Sequence, residues 1–567
     1  MIHRQFIVCE DDSVSELLIA MSRLTKSGRP SGFALIVNEG SETVGVVTDG
    51  DLRKFLIRHN SMPTSIKQVL NRDFLYLEDQ SNTEELLIKA RDVVSHINSQ
   101  SKLPIRFLPV LRNKEIVSLL DLEELSIGIE SRPEQIVIVG LGYVGLTLAG
   151  FLLGNQVPVV GVDLDKSKID QLLSGKCYIS EPGLEHLIQK AIPGMLTVRR
   201  TISDLPENVG GARRVFIVCV PTPVNRNGEA DLSFVESAAD EIATVLQPGD
   251  MVILRSTVPI GTCNEIGKQL EIKSGLRTGL DFSLIFAPER TVEGNALREI
   301  GELPQIVSGF TTSCLLNGLD FFEKLGILTV QTESLRMAEL IKIASNAFRD
   351  YTFAFSNYLS QVAREHALDV NSAIKSANFG YPRNRIPVPS PGVGGPCLTK
   401  DPYLLHTKLV KVESPIRKAR ELNWEMPSLL LSHMKMKIPN FNSLSVSVIG
   451  MAFKGVPETN DTRNSPSVEI LRLIRENGNQ AIAWDAVANI QEMTLHSTDV
   501  SPSIFIIANN HPENLNYLRS EIQASKKDCF FVVDPWRLAN ARDLLELRSF
   551  HVIHYLSISH YEEDPRT

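Results

Sequence analysis

QIVIVGLGYVG, residues 135–145, decides how most of this 567-residue chain is read. An apolar strand runs into Gly140-Leu-Gly142-Tyr143-Val144-Gly145, and a helical pattern opens behind it. Each glycine has a separate reason. Gly140 permits a tight turn, Gly142 lets backbone approach a pyrophosphate, and Gly145 allows close helix packing. The helix N-terminus favours the phosphates. Asp163 ends the next strand, GVDLD, eighteen residues past Gly145. There it can accept both ribose hydroxyls, and its charge repels a 2′-phosphate, which favours NAD over NADP. Lys166 and Lys168 stand close by in sequence and work against that repulsion.

Outward from this turn, PVVGVDLD, VFIVCVPTP, MVILRSTVP, SLIFAPER and PQIVSGF supply further strands between helical stretches. That alternation predicts a doubly wound α/β domain over residues 134–330. Residues 331–369 contain neither glycine nor proline, and apolar residues recur at helical spacing. One helix of that extent would be about 55 Å long, so it connects two lobes or forms a dimer face. A second helical region is expected over 402–437, which makes 331–437 a central helical domain. A second α/β unit, 438–567, starts at SVSVIGMAFKG and has strands at AIAWD, IFIIANN and FFVVDPW. The fold class is therefore α/β, with two Rossmann-like units joined by a long central helix. Before them, residues 1–130 carry a degenerate internal repeat. GFALIVNEG with ETVGVVTDGDLRKFLIRH, and then PIRFLPVLRNKEIVSLLDLEEL, both read strand, turn, strand, acid, helix. SIGIESRPEQ reads as the linker.

Composition narrows the class. Hydrophobic content of 43% and charged content of 22% fit a soluble globular protein, and a net charge of -9 gives no reason to expect nucleic acid. No apolar run approaches the roughly 20 residues of a membrane helix. MIHRQFIVCEDDSV has no basic region leading into an apolar core, so no signal peptide is expected. Cys9, Cys177, Cys219, Cys263, Cys314, Cys397 and Cys529 are dispersed, without metal-type spacing. Free thiols in a reducing cytoplasm follow, and no metal site.

Cys397 lies in GVGGPCLTKD, residues 392–401, with glycines before it and Lys400 and Asp401 after it. Alone it reads equally as a small buried hydrophobe or a reactive thiol. Three other stretches weigh on the choice. Lys342 and Asn346 in ELIKIASNAFRD share a helix face, as a snorkelling lysine or as donors to an oxyanion. Glu289 and Arg290 follow a strand, as an exposed pair or at the strand end where catalytic groups collect. Lys454 in FKG and Asp461 with Arg463 in NDTRNSPS complete the set, with Arg463 suited to a diphosphate.

From residue 135 almost to the C-terminus the chain resembles the UDP-glucose/GDP-mannose dehydrogenase family of nucleotide-sugar 6-dehydrogenases. The resemblance rests on GLGYVG, ISEPGLEHLI, CVPTPVN, RSTVPIGT, APERTVEGNAL, ELIKIASNAFRD, GVGGPCLTKD, GMAFKG and DTRNSPS in the family's order. It implies a four-electron oxidation of a sugar C6 alcohol to a carboxylate with two NAD reduced. Cys397 would hold the aldehyde as a thiohemiacetal and then a thioester, because a thiohemiacetal is the better hydride donor. Local cations and helix ends are expected to favour its thiolate. The resemblance assigns oxyanion stabilisation to Lys342 and Asn346, and protons and water to Asp401, Glu289 and Thr257. It assigns the cofactor to Gly140, Gly142, Tyr143, Val144, Gly145, Asp163, Lys168, Pro221, Thr222, Ser256 and Thr257. The sugar nucleotide falls to Glu289, Lys342, Asn346, Phe453, Lys454 and Arg463. The backbone of Gly392, Gly394 and Gly395 would approach its diphosphate, and Arg385 of the RNRIPVPSP loop would read the sugar. A homodimer or higher homo-oligomer and a role in polysaccharide biosynthesis are also implied. Tyr358 after Asn357, where many relatives carry Glu, and Ala486 after Asp485, where Pro is frequent, put the subtype in question.

APERTVEGNALREIGELPQI and PGVGGPCLTKDPYLL look more like the branch acting on UDP-N-acetylhexosamines than the UDP-glucose branch. The alternatives are a UDP-glucose 6-dehydrogenase, a two-electron hydroxyacid-type dehydrogenase, and a nucleotide sensor on an inactive scaffold. The repeat before residue 130 resembles a tandem CBS pair, in which Thr48 and Asp51 would hold an adenine nucleotide. The second copy has Leu119-Leu120-Asp121 and lacks the threonine.

Overall fold

The computed structural model describes residues 6–22, 32–59, 61–74, 76–78, 107–121, 134–192, 194–205, 212–225, 228–405, 414–490 and 501–566. The chain forms two compact units, Met1–Pro133 and Glu134–Thr567.

In the first unit, β1 (Ile7–Cys9) pairs parallel with β2 (Phe33–Val37), which forms a hairpin with β3 (Thr43–Thr48). Between β1 and β2 lies α1 (Val14–Ser22), and α2 (Asp49–His59) follows β3. The same plan recurs: β4 (Leu77–Glu78) is parallel to β5 (Phe107–Arg112), which pairs antiparallel with β6 (Glu115–Asp121). Each hairpin even carries a register shift near the middle, at Ile36/Val37 and Val110/Leu111. Phe33, Leu35, Val46 and Phe107 share one core, so the two copies pack on each other. The side chains of Leu120 and Asp121, and most of the linker, lie outside the described residues.

The second unit opens with β7 (Glu134–Val139), α3 (Tyr143–Gly154) and β8 (Val159–Val162). With β9 (Leu196–Arg199), β10 (Arg213–Val218), β11 (Met251–Leu254), β12 (Ser283–Phe286), β13 (Gln305–Gly309) and β14 (Thr329–Gln331), they form one sheet ordered β14-β13-β12-β11-β10-β7-β8-β9. All its pairings are parallel except β12 with β13. Alternate residues feed two cores: Ile136 and Ile138 face one, Val137 and Val139 the other. That is the period-two signature of a strand covered on both faces.

Ser334 caps α4 (Leu335–Glu365), a 31-residue helix about 46 Å long. It is shorter than the helix expected over 331–369. Gln331 is taken by the β14 ladder, and the chain leaves the helix through a left-handed Ala367. Two short helices, α5 (Gly395–Leu398) and α6 (Asp401–Leu404), precede α7 (Pro415–Lys437). Between α4 and α7 the fully buried Arg420–Asp350 pair is joined by Asn423 and Asn357. Arg420 also donates to the Val393 carbonyl, and Asn357 accepts from the Ser390 amide, which pins the loop leading to Cys397.

The last part builds a smaller sheet from β15 (Val446–Ile449), β16 (Ala481–Trp484), β17 (Ile504–Ile507), β18 (Cys529–Val533), β19 (Val552–Leu556) and β20 (Tyr561–Glu562), ordered β16-β15-β17-β18-β19-β20. Only β19 with β20 is antiparallel. Helix α8 (Pro466–Glu476) covers one face. The second unit is thus an α/β structure with two mixed, mainly parallel sheets. Among the described residues no helix is long and apolar enough to cross a membrane.

Candidate active site

A cavity of about 930 Å³ runs from the β7–α3 turn to Cys397. At its first end, Gly140 has φ +94°, and a Cβ there would press on the Cys219 backbone at 3.0 Å. A Cβ on Gly145 would stand 1.9 Å from the Gly140 carbonyl oxygen, so that glycine serves helix–turn packing and does not line the cavity. Gly142 is the opposite case. Nothing lies within 4 Å of where its Cβ would stand, and it lines the cavity as bare backbone. Tyr143, Val144, Asp163, Lys168, Pro221, Thr222, Ser256 and Thr257 line the same space. Asp163 accepts from the amides of Leu141 (2.8 Å) and Asp165 (2.9 Å), and Lys168 Nζ stands 3.2 Å from it. The Thr222 hydroxyl donates to the Thr257 carbonyl at 2.6 Å, and Ser256 to that of Val220 at 2.7 Å. Open backbone at a helix N-terminus with a carboxylate at the neighbouring strand end fits NAD.

At the other end Cys397 sits in α5, its side chain exposed to the cavity rather than packed in the core. Lys342 and Lys400 line the cavity with it. Asp401 is fully buried behind them, accepting from Asn346 Nδ2 at 2.6 Å and Lys400 Nζ at 2.8 Å. Asn346 therefore stands behind the wall, and one of its amide protons is already committed. Lys400 also reaches the Thr222 hydroxyl at 3.3 Å, tying the thiol's loop to the cofactor side. The expected thiolate is corrected. The surrounding protein, first, and Asp401 push the thiol above its ordinary value and outweigh Lys342 and Lys400.

Two carboxylates follow β12. Glu289 lines the cavity, yet it is ion-paired with buried Arg255 and accepts from the amides of Arg290 (2.6 Å) and Thr291 (2.8 Å). Burial opposes its charge, but Arg255, the Thr291 amide and Lys342 hold it below the usual carboxylate range. A carboxylate so fully engaged is a poor proton acceptor. Glu293, also on the cavity, was not singled out from the sequence. Burial, then Asp461, push it up to about 7 against Lys454 and Arg463. Its signal lay in TVEG, where a second carboxylate stands four residues beyond Glu289.

The glycine-rich bend departs from expectation. A Cβ on Gly392 would meet Pro466 at 2.9 Å, on Gly394 the Asn464 carbonyl oxygen at 2.5 Å, and on Gly395 the Phe453 ring at 2.8 Å. All three are buried and admit protein rather than opening backbone to a ligand. Phe453 thus packs under the bend. Arg463 lines the cavity, its Nε bonded to both oxygens of Asp461 at 3.0 and 2.8 Å. Lys454 Nζ donates to the Glu293 carbonyl at 2.6 Å, and burial lowers its pKa. Arg385 is exposed and outside the cavity lining. In the first unit, Thr48 and Asp51 bond each other (hydroxyl to carboxylate 2.6 Å) and cap α2.

A dinucleotide turn and a cavity-facing thiol with a buried carboxylate behind it define a nicotinamide-dependent oxidoreductase. Residues 134–320 match the UDP-glucose/GDP-mannose dehydrogenase family, NAD binding domain, and residues 336–424 match its central domain. UDP-N-acetyl-D-mannosamine dehydrogenase of Pyrococcus horikoshii is 32% identical over 384 residues, 67% of this chain and 90% of that one. The enzyme of the same description from Campylobacter jejuni is 34% identical over 375 residues, covering 64% and 88%. The structure of a UDP-glucose dehydrogenase from Pyrobaculum islandicum superposes with a TM-score of 0.65 at 25% identity, covering 76% of this chain and 99% of that one. The chain belongs to the UDP-glucose/GDP-mannose dehydrogenase family and is an NAD-dependent nucleotide-sugar dehydrogenase.

Proposed function

We propose that the enzyme oxidises the C6 alcohol of a UDP-N-acetylhexosamine to the uronic acid in four electrons, with Cys397 as the covalent holder of the aldehyde. One observation carries this reading: Cys397 faces the same cavity as the Gly142 backbone, with Lys342 beside it. When bound, NAD supplies the hydride acceptor, once for each two-electron stage. The Gly140–Gly142 turn, Asp163, Lys168 and the Thr222–Thr257 ledge hold it. The residues at the far end do the rest. After a hydride from C6 and the hydroxyl proton leave the alcohol, the Cys397 sulfur bonds the carbonyl carbon and its proton passes to the oxygen. Removal of a second hydride from C6 and of that oxygen-borne proton gives a thioester. Water then adds, the C–S bond breaks, and the thiol regains a proton as the carboxylate leaves. Lys342 stabilises negative oxygen at both tetrahedral stages, and Asn346, behind the wall, holds the buried Asp401. Glu293, poised near neutrality, takes the proton of the attacking water in place of Glu289. Lys454 and Arg463 take the diphosphate once released from the Glu293 carbonyl and Asp461.

Relatives named for N-acetyl sugars support the acetamido substrate, and the UDP-glucose enzyme's fold keeps UDP-glucose as the second reading. Initial rates on UDP-N-acetylmannosamine, UDP-N-acetylgalactosamine, UDP-N-acetylglucosamine and UDP-glucose test it. Highest kcat/KM on UDP-glucose would refute the acetamido assignment.

The functional division is a tandem CBS module over 1–130, a cofactor domain over 134–330, a central dimerisation and catalytic domain over 331–437, and a sugar-nucleotide domain over 438–567. Phe348, Tyr351, Phe355 and Tyr358 form an exposed stripe at helical spacing on α4, which supports a homodimer through that face. The repeated sheet plan supports the CBS assignment, with an adenine nucleotide at Thr48 and Asp51 biasing turnover. ATP or AMP that neither binds the full chain nor changes its rate would end that assignment. Seven free cysteines support work in the cytoplasm.

A further inference from the structure

ISEPGLEHLI leaves one residue without a task, Glu181. It is buried and precedes a left-handed Gly183 at the start of the helix Leu184–Ala191. Its Oε2 accepts from the Tyr143 hydroxyl, in the cofactor turn, and from the Gly294 amide at 2.8 Å. The same amide lies 3.1 Å from the Tyr143 oxygen, so phenol and carboxylate share it. Burial, first, and Glu181 raise the phenol's pKa, so Tyr143 stays a donor. A buried anion is tolerable only when so bonded, and charge-assisted bonds are the strong ones.

Gly294 follows Glu293 at φ +91°, and a Cβ there would meet the Glu458 carbonyl oxygen at 2.5 Å. On that side Lys454 donates to the Glu293 carbonyl at 2.6 Å and Thr459 to its Oε2 at 3.2 Å. The Glu293 turn is thus clamped between the cofactor turn and the C-terminal α/β part. The charged or titratable groups facing Glu293 are Asp461, Lys454, Arg463, Cys397 and Tyr143.

We infer that Glu181 is a positioning residue that ties the cofactor turn at Tyr143 to the Glu293 turn and sets the Glu293 carboxyl at the reaction centre. This rests on the Glu293 assignment made above. Glu181→Gln tests it, because the neutral amide removes the charge that strengthens both bonds to Oε2 and puts a donor nitrogen in place of one acceptor oxygen. The experiment measures kcat and both KM values against pH for the full-length wild type, E181Q, Y143F and E293Q, with melting curves beside them. For E181Q we expect about a tenfold fall in kcat, in line with one lost charge-assisted bond. The near-neutral limb of its kcat profile moves, NAD KM rises about threefold, and sugar-nucleotide KM is unchanged. Y143F shifts the same quantities less, because Gly294 keeps its carboxylate. Wild-type NAD KM and pH limb in E181Q overturn the inference even if melting falls; if E181Q does not fold, the same result in Y143F overturns it. E293Q is read separately: an intact limb there refutes the Glu293 assignment, while the NAD KM of E181Q still decides the tie.

Discussion

The β7–α3 turn and the β15–α8 connection start alike and end in different chemistry. Each leaves a buried parallel strand through a glycine of positive φ, Gly140 at +94° and Gly450 at +87°, and each has an aspartate closing the neighbouring strand. In the first, the helix begins at Tyr143, Gly142 is open, and Asp163 faces the cavity. In the second, Asp485 accepts four backbone amides: Met451 (2.5 Å), Ala452 (2.9 Å), Val487 (2.8 Å) and Ala488 (2.7 Å). Its helix starts only at Pro466, beyond the loop that carries Lys454 and Arg463. The same topological element therefore offers open backbone and a cavity-facing acid in one copy, and side-chain cations in the other. A dinucleotide needs the former, whereas a diphosphate can be held by the latter.

The comparison breaks most severely where the two halves converge, at Cys397. C397S should cut uronic acid formation by on the order of 10³-fold or more, measured as product by mass, since a serine cannot hold the aldehyde as the thiol does. E293Q should lower kcat by about 10²-fold and remove a limb near pH 7. The direction follows from burial: the neutral acid prevails below about 7 and the proton-accepting carboxylate above it, so kcat of the wild type rises with pH through that range. K454M and R463M should each raise the sugar-nucleotide KM by about tenfold and leave NAD KM near its original value, whereas D163A should do the reverse. D485N, by contrast, should lower the melting temperature without selective loss of either ligand. The smallest effect concerns the thiol. Asp401 raises its pKa, so D401N should accelerate iodoacetamide alkylation at pH 7 several-fold, about tenfold per pKa unit, and K342M should slow it.

The cofactor turn was legible because its constraints are local: tight glycines, a strand of alternating burial and an acid at fixed offset all follow from backbone geometry. The strand-rich halves and the helical centre were legible for the same reason. The glycines at 392–395 misled because a glycine reports only that something comes close; here Pro466, Asn464 and Phe453 do. Glu289 and Glu293 are equivalent by sequence. Arg255, 34 residues upstream, separates them by neutralising only the first, and such pairing is invisible until the sheet is assembled. The start of α4 was misplaced because Gln331 lacks any breaker beside it and is claimed by a non-local strand pairing.

If one cavity carries the alcohol through aldehyde and thioester to acid without release, the aldehyde never reaches solution. NADH formed per UDP-sugar consumed, counted with and without an aldehyde-trapping hydrazine, decides this. Two NADH per sugar are expected in both cases. One NADH per sugar, or a trapped aldehyde at the expense of acid, would contradict such retention.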